Sequence, residues 1–209
     1  HRMKDNDYTH HGTFATIVAS PTQPITGMVV DSESGMPLKG IKVVLSRIGK
    51  SLWGSEQITA TTNDEGGFEL NGAPLGGGHG IEVHPSSELP YFDTQFELPL
   101  SSNAVPLQCK LELRKTKWIH GRVTDEAGRP VAAKLNYYPF LENQHAEKFS
   151  NYNPNVRGTP DDKIASNVNG EFRIQAIAGP AILAAYVTDQ DEQPKYLPNR
   201  ADGLLDRIG

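Results

Sequence analysis

The chain has 209 residues, a formal net charge of −5 and a pI near 5.8. This mildly acidic balance disfavours nucleic acid or an anionic membrane surface as the main partner, because both select basic surfaces. No apolar run is long enough to span a bilayer, so we predict no direct membrane insertion. The length allows one large or two modest domains.

Short alternating runs bounded by turn residues dominate the first part of the chain. The runs predicted as strands are ITGMVVD, IKVVLSR, QITATTN, FELNG, GIEVHP, FDTQFEL and VPLQCKLEL. The last run contains the only cysteine, Cys109, which excludes an intrachain disulfide. Because Cys109 alternates with apolar residues, we predict a buried, inert thiol on the inward face of a strand. Short strands with many Gly and Pro turns predict an all-β sandwich or barrel.

The chain also repeats itself. ITGMVVDSESGMPLKGIKVVL is similar to IHGRVTDEAGRPVAAKLNYY, and TTNDEGGFELNGAPLG is similar to ASNVNGEFRIQAIAGP. A third pair, TFATIVASPTQPITG and CKLELRKTKWIHG, extends the repeat upstream. We therefore predict a tandem array with a first domain over residues 23–115 and a second over 116–209. Residues 1–22 are predicted as an N-terminal segment that contains the last strand of a preceding repeat.

The repeated polar positions suit tight turns. Asp31 and Asp125 can each accept hydrogen bonds from backbone N–H groups, and the glycines that follow can take positive φ. In NDEGGF and NVNGEF the turn residues precede Phe68 or Phe172, which we predict to fill the core. Calcium binding at these turns is the alternative, but the ligand spacing of a known calcium loop is missing.

These motifs resemble the carboxypeptidase regulatory-like domain, in the order G-x-V-x-D-x-x-G-x-P, an alternating strand, and D-x-x-G-x-F. The first copy carries the pattern at Gly27, Val29, Asp31, Gly35, Pro37, Asp64, Gly67 and Phe68. The second carries it at Gly121, Val123, Asp125, Gly128, Pro130, Gly170 and Phe172, with asparagines where the first has Asp64. The resemblance implies two tandem seven-stranded, transthyretin-like Greek-key β-sandwiches. It also implies accessory modules of a larger secreted, periplasmic or cell-surface protein.

The second copy contains an enlarged loop, predicted over residues 136–166. Pro37 and Phe68 are 31 positions apart, whereas Pro130 and Phe172 are 42 apart. The loop NYYPFLENQHAEKFSNYNPNVRG is rich in aromatic and polar residues, and large loops on rigid sandwiches often carry function. Tyr137 continues an apolar alternation and is predicted to be buried. The candidate ligand-binding residues are Tyr138, Phe140, Asn143, His145, Tyr152 and Arg157. The alternative is that the aromatic residues fold inward and anchor the loop.

The sequence does not complete any of the catalytic residue sets considered. Intradiol dioxygenases resemble this pattern and bind iron through two tyrosines and a His-x-His pair, and Tyr138 and Tyr152 could supply the tyrosines. No histidine follows His145 in the sequence, so the four ligands cannot be assembled. His79 and His84 are five positions apart, which places them on opposite faces of a strand. A covalent Lys–Asn crosslink lacks its lysine in ITGMVVD. We therefore predict no enzyme activity, no metal and no cofactor.

The sequence thus favours a non-catalytic accessory, structural or protein-interaction module whose partners are other domains of a larger protein. A carbohydrate- or small-ligand-binding module that uses loop residues 137–157 is the alternative. The connection LRKTKWIHG is short and has no Gly or Pro before Gly121, which predicts a fixed orientation of the two domains, with Trp118 packed at their junction.

Overall fold

A computed structural model describes residues 21–47, 58–75, 78–99, 105–140, 142–149, 165–188 and 194–196. Within these ranges the protein is all-β, as predicted, with twelve strands, one 3₁₀-helix and no α-helix. The strands are β1 (Thr22–Asp31), β2 (Lys42–Arg47), β3 (Thr59–Thr61), β4 (Gly67–Pro74), β5 (Gly80–His84), β6 (Thr94–Glu97), β7 (Leu107–Leu113), β8 (Lys117–Arg122), β9 (Lys134–Pro139), β10 (Glu171–Ala176), β11 (Ala181–Thr188) and β12 (Pro194–Tyr196). The 3₁₀-helix spans Ala146–Phe149. None of the helices in this part of the chain has the length and hydropathy to cross a bilayer.

Strands β1–β7, here called the first half, form two sheets around one core. One sheet has the order β4-β1-β7 and the other the order β3-β2-β5-β6. Strand β1 is antiparallel to β4 and parallel to β7. Inward-facing side chains of both sheets pack together, among them Ile25, Val43 and Leu111. Cys109 packs against them as predicted from its inward position, but it is half-buried and not buried, which corrects that part of the prediction. The period-two alternation of these strands thus places one face of each sheet in the core.

Strands β8–β12, the second half, repeat part of this plan in two smaller sheets. One sheet pairs β10 with β8, and the other has the order β12-β11-β9. The register is the same as in the first half: Phe68 lies opposite Gly27, and Phe172 lies opposite Gly121. The core of the second half is centred on Leu135, Tyr137, Ile174 and Ala176. The residues that repeat in the sequence therefore also pair in the same register, in β1–β4 and in β8–β10.

The repeat extends to the backbone of the tight turn before β4 and β10. Val29 N donates to Gly66 O at 2.9 Å, and Val123 N donates to Gly170 O at 2.8 Å. Gly66 and Gly170 have φ values of 72° and 74°. A Cβ on Gly66 would lie 2.6 Å from Val29 O, and one on Gly170 would meet Val123 O in the same way. Both the positive φ and the close approach therefore require glycine. The counterpart of Gly170 in the first half is Gly66, so the assignment of this position to Gly67 from the sequence pattern is wrong.

Candidate functional site at the junction of the two halves

The connection between β5 and β6, residues 85–93, lies where the two halves meet. Its inner side is fixed to the core of the first half by Tyr91, which is 4% exposed. The Tyr91 hydroxyl donates to Asp31 Oδ2 at 3.0 Å. At the end of the connection, Asp93 Oδ2 lies 3.1 Å from His84 Nδ1, and Glu82 Oε2 lies 3.4 Å from His84 Nε2. We call residues 85–93 the anchored connection.

Asp31 organises the turn on which Tyr91 rests. Its Oδ1 accepts from Ser34 N at 2.7 Å and from Ser34 Oγ at 2.6 Å, and Lys115 Nζ lies 4.0 Å from Oδ2. Burial raises the pKa of Asp31, but the bonds from Ser34 and Tyr91 and the charge of Lys115 outweigh burial and lower it. Burial, together with the adjacent Asp31 carboxylate, raises the pKa of Tyr91. The Asp31 carboxylate is thus ionised and accepts hydrogen bonds from N–H and O–H donors. This agrees with the prediction that Asp31 stabilises a turn.

The outer side of the anchored connection contacts β10. Gln175 Nε2 donates to Leu89 O at 2.6 Å, and Arg173 Nη1 lies 3.3 Å from Glu88 Oε2. Arg173 and Gln175 alternate with the inward-facing Phe172, Ile174 and Ala176, so both point away from the core of the second half. The outward face of β10 therefore serves as a contact surface for the first half.

Two further groups complete this contact. The guanidinium carbon of Arg173 lies 3.7 Å from the ring centroid of Trp118, in cation–π geometry. Thr116 N, in the short link between β7 and β8, donates to Pro90 O at 2.8 Å. Trp118 thus positions the arginine that reaches Glu88, which gives the tryptophan a place at the junction.

The enlarged loop contacts the first half through an aromatic pair. Phe149, at the end of the 3₁₀-helix, packs edge-on against Phe92 with ring centroids 5.8 Å apart. Phe92 belongs to the anchored connection. The described part of the enlarged loop therefore packs against the same nine residues as β10 does.

Strand β9 continues to Pro139, so the predicted start of the enlarged loop at residue 136 is wrong and the loop begins after β9. Two of the singled-out residues, one in β9 and one in the loop, have structural contacts. Tyr137 is 7% exposed, as predicted, and its hydroxyl donates to Ile177 O at 2.8 Å. Asn143, proposed from the sequence as a ligand-binding residue, is 1% exposed. Its Nδ2 donates to Pro180 O at 3.2 Å, and its Oδ1 accepts from His145 N at 3.0 Å. The Asn143 amide thus holds the loop to the turn before β11.

The other sequence-predicted residues differ in exposure. Tyr138 is half-buried on the outward face of β9, opposite Ile182 of β11, and Tyr186 lies on the same outward face. Phe140 is half-buried and His145 is exposed. Tyr152 and Arg157 lie outside the described residues. Phe140, Asn143 and His145 are neighbours, because Asn143 N donates to Phe140 O at 3.0 Å and His145 N donates to Asn143 Oδ1 at 3.0 Å. A binding site made of all six residues stays a prediction.

Three further titratable residues singled out from the sequence lie in the first half. His79 is buried, with Nε2 3.0 Å from Pro74 O, whereas His84 is half-buried beside Glu82 and Asp93. Burial raises the pKa of Cys109 to about 11. Among the described residues, no group of three or more His, Cys, Asp and Glu side chains could hold a metal ion.

Sequence reasoning missed Glu88 and Gln175. Neither residue belongs to a motif, and Glu88 lies in PSSELP, which reads as an ordinary turn. The only available signal was the alternation of β10, which predicts an outward Gln175 but not the surface that covers it.

No family model matches the chain, and no curated protein matches it. Solved structures give weak likenesses. A DUF3823 family protein from Parabacteroides merdae is 13% identical, with 80% of this chain and 81% of that chain covered and a TM-score of 0.35. The shaft pilin SpaA of Lactobacillus rhamnosus GG is 11% identical, with 85% and 89% covered and a TM-score of 0.32. The Bacillus anthracis TIE protein is 16% identical with a TM-score of 0.35; 83% of this chain is covered, but it spans only 30% of that chain. These likenesses assign neither a family nor a function.

Proposed function

We propose that the chain is a non-catalytic structural or interaction module made of two transthyretin-like sandwiches held in one orientation. The shared register of β1–β4 and β8–β10 supports two copies of one domain plan, with boundaries near residues 23–115 and 116–209. The motifs support kinship with carboxypeptidase regulatory-like domains. By that kinship, the module belongs to a larger secreted, periplasmic or surface protein and contacts its other domains.

The observation that carries this proposal is that both halves contact the anchored connection. Its inner side is buried in the first half through Tyr91, and its outer side holds Gln175 and Arg173 of the second half. Domains that move independently are joined by exposed linkers, and few contacts cross between them. The contacts described above are not expected for such an arrangement. The enlarged loop adds the Phe92–Phe149 pair to the same surface.

The test is the tumbling of each half in solution, measured by ¹⁵N relaxation of the intact chain. We expect one rotational correlation time for β1–β7 and β8–β12, and two different times after Arg173→Ala with Gln175→Ala. Lys39→Ala is the matched control, because Lys39 forms an exposed ion pair with Asp64 away from the junction. Independent tumbling of the halves in the unmodified chain would contradict the proposal.

A second candidate is binding of a carbohydrate or another small ligand. The specific observation is the outward face of β9 and β11, where Tyr138, Ile182 and Tyr186 are half-buried beside Asn136. Aromatic rings with polar neighbours offer stacking faces for sugar rings. A glycan array would show binding that Tyr138→Ala abolishes and Tyr138→Phe, which keeps the ring, preserves. Equal binding by both variants, with unchanged melting temperatures, would exclude Tyr138 from recognition.

A further inference from the structure

One edge of β8 differs from the matching edge of β1. Strand β1 pairs with β4 on one side and with β7 on the other. Strand β8 pairs with β10 in the register that β1 has with β4. On the opposite side of β8, the described part of the chain places no strand. Unpaired strand edges present N–H and C=O groups that can pair with an added strand.

Apolar side chains at corresponding positions of the two halves are buried to different extents. Ile25 and Val29 of the first half are fully buried, since Leu111 and Leu113 of β7 complete their core. Their counterparts Ile119 and Val123 are only half-buried. Among the described residues, none makes beside this edge of β8 the contribution that β7 makes beside β1, and covering the edge with apolar side chains would be favourable.

The pairing of β1 with β7 defines the strand that fits. The two strands run parallel, with Val29 opposite Leu111 and Gly27 opposite Cys109. The approach is close, because a Cβ on Gly27 would lie 2.5 Å from Cys109 O. Gly121 keeps a glycine at this position in β8. A fitting strand thus runs parallel to β8 and carries apolar residues at alternate positions, with a small one opposite Gly121.

We propose that this edge binds residues 13–19, TFATIVA, of a second copy of the chain, so that copies join head to tail. This segment lies outside the described residues, but its sequence position matches that of β7. Ile17 precedes Ile25 by eight positions, as Leu111 precedes Ile119. On the same alignment Ala15, a small residue, corresponds to Cys109 and would lie opposite Gly121. A heterologous contact of this kind repeats from copy to copy.

The test is disulfide trapping between two full-length variants, each in a Cys109→Ser background. One carries Ile17→Cys and the other Val123→Cys, the pair that corresponds to Leu111 opposite Val29. Mixed under mild oxidation, they are expected to give a crosslinked heterodimer as the main product. Val18→Cys replaces Ile17→Cys in the matched control, because neighbouring strand residues face opposite ways. If Val123→Cys does not fold, Thr13→Cys with Ile119→Cys tests the pair that corresponds to Leu107 opposite Ile25.

The outcomes separate the occupants of the edge. Crosslinking by Ile17→Cys well above that by Val18→Cys supports the inference. Equal crosslinking or none overturns it. A disulfide within one chain, formed when both cysteines are placed in the same molecule at high dilution, overturns it as well. The inference rests on the proposed modular function, but trapping measures contact between copies, whereas relaxation measures motion within one copy, so either can fail alone.

Discussion

Thr62 and Ser166 make the same two hydrogen bonds in the two halves. Thr62 Oγ1 accepts from Ile41 N at 2.9 Å and donates to Leu38 O at 2.6 Å. Ser166 Oγ accepts from Ala133 N at 2.8 Å and donates to Val131 O at 2.9 Å. Both residues are buried, and each precedes the tight turn that leads to β4 or β10. A hydroxyl at this position supplies a partner for a backbone N–H that the sheets leave unpaired.

Replacing this hydroxyl should therefore destabilise the fold. Thr62→Val keeps the shape but leaves Ile41 N without its acceptor, and we expect the free energy of unfolding to fall by about 1–3 kcal/mol. Urea denaturation measures the loss. Thr61→Val is the control, because Thr61 is exposed in β3. A loss no larger than that of the control would contradict the assigned role of the hydroxyl.

Gly121 and Phe172 should be energetically coupled. A Cβ on Gly121 would overlap the Phe172 ring, so Gly121→Ala should destabilise the protein by about 1–3 kcal/mol through overpacking. Phe172→Leu relieves the overlap and should recover part of that loss in the double variant. A double-mutant cycle, measured by thermal or chemical denaturation, gives the coupling energy. Additive effects would show that the ring moves aside without cost.

The folding stability of the protein should depend on pH through Asp31. Its pKa is lower in the folded protein than its ordinary value of 3.8, so the ionised carboxylate stabilises the fold fully above that value. The contribution is lost as the pH falls through the folded pKa. We expect Asp31→Asn to cost about 1–3 kcal/mol at neutral pH. The cost should begin to shrink below about pH 4, where this carboxylate takes up a proton in the unfolded chain, and should be smallest below the lowered pKa of the folded state.

The matched control for Asp31→Asn is Asp125→Asn in the second half. Asp125 lies at the corresponding turn, and the hydrogen bonds from Arg129 lower its pKa. Because Arg129 is mostly exposed, water screens this ion pair and we expect a smaller loss. Urea denaturation at several acidic pH values measures the stability loss of each variant. A larger effect from Asp125→Asn would show that Tyr91 contributes little to the Asp31 site.

Cys109 should react slowly with thiol reagents in the folded protein. Burial raises its pKa from 9.0 to about 11, which lowers the thiolate fraction at neutral pH about a hundredfold. Labelling with a chromogenic disulfide should therefore be slow and should accelerate in urea. The unfolded chain is the internal control. Rapid labelling of the native chain would contradict the raised pKa of this half-buried thiol.

Sequence periodicity predicted most of the first half. The alternating runs correspond to β1–β7, because each strand has one face in the core. The repeat predicted the shared turns, and continued alternation predicted that Tyr137 is buried. Spacing alone could not predict that Asn143 is buried, because the Pro180 carbonyl it binds is distant in sequence. The sequence predicted Trp118 at the junction but not the ion pair there, because that contact depends on how Glu88 and Arg173 meet across two cores.

The parallel pairing of β1 and β7 has a mechanical consequence. Tension on the chain would pull β1 from its start at Thr22 and β7 from its end at Leu113, in opposite directions along neighbouring strands. In that geometry the hydrogen bonds between the strands are loaded in shear, all together, and do not open one by one like a zipper. The first half is thus arranged to transmit a pulling force along its length without unravelling from either end.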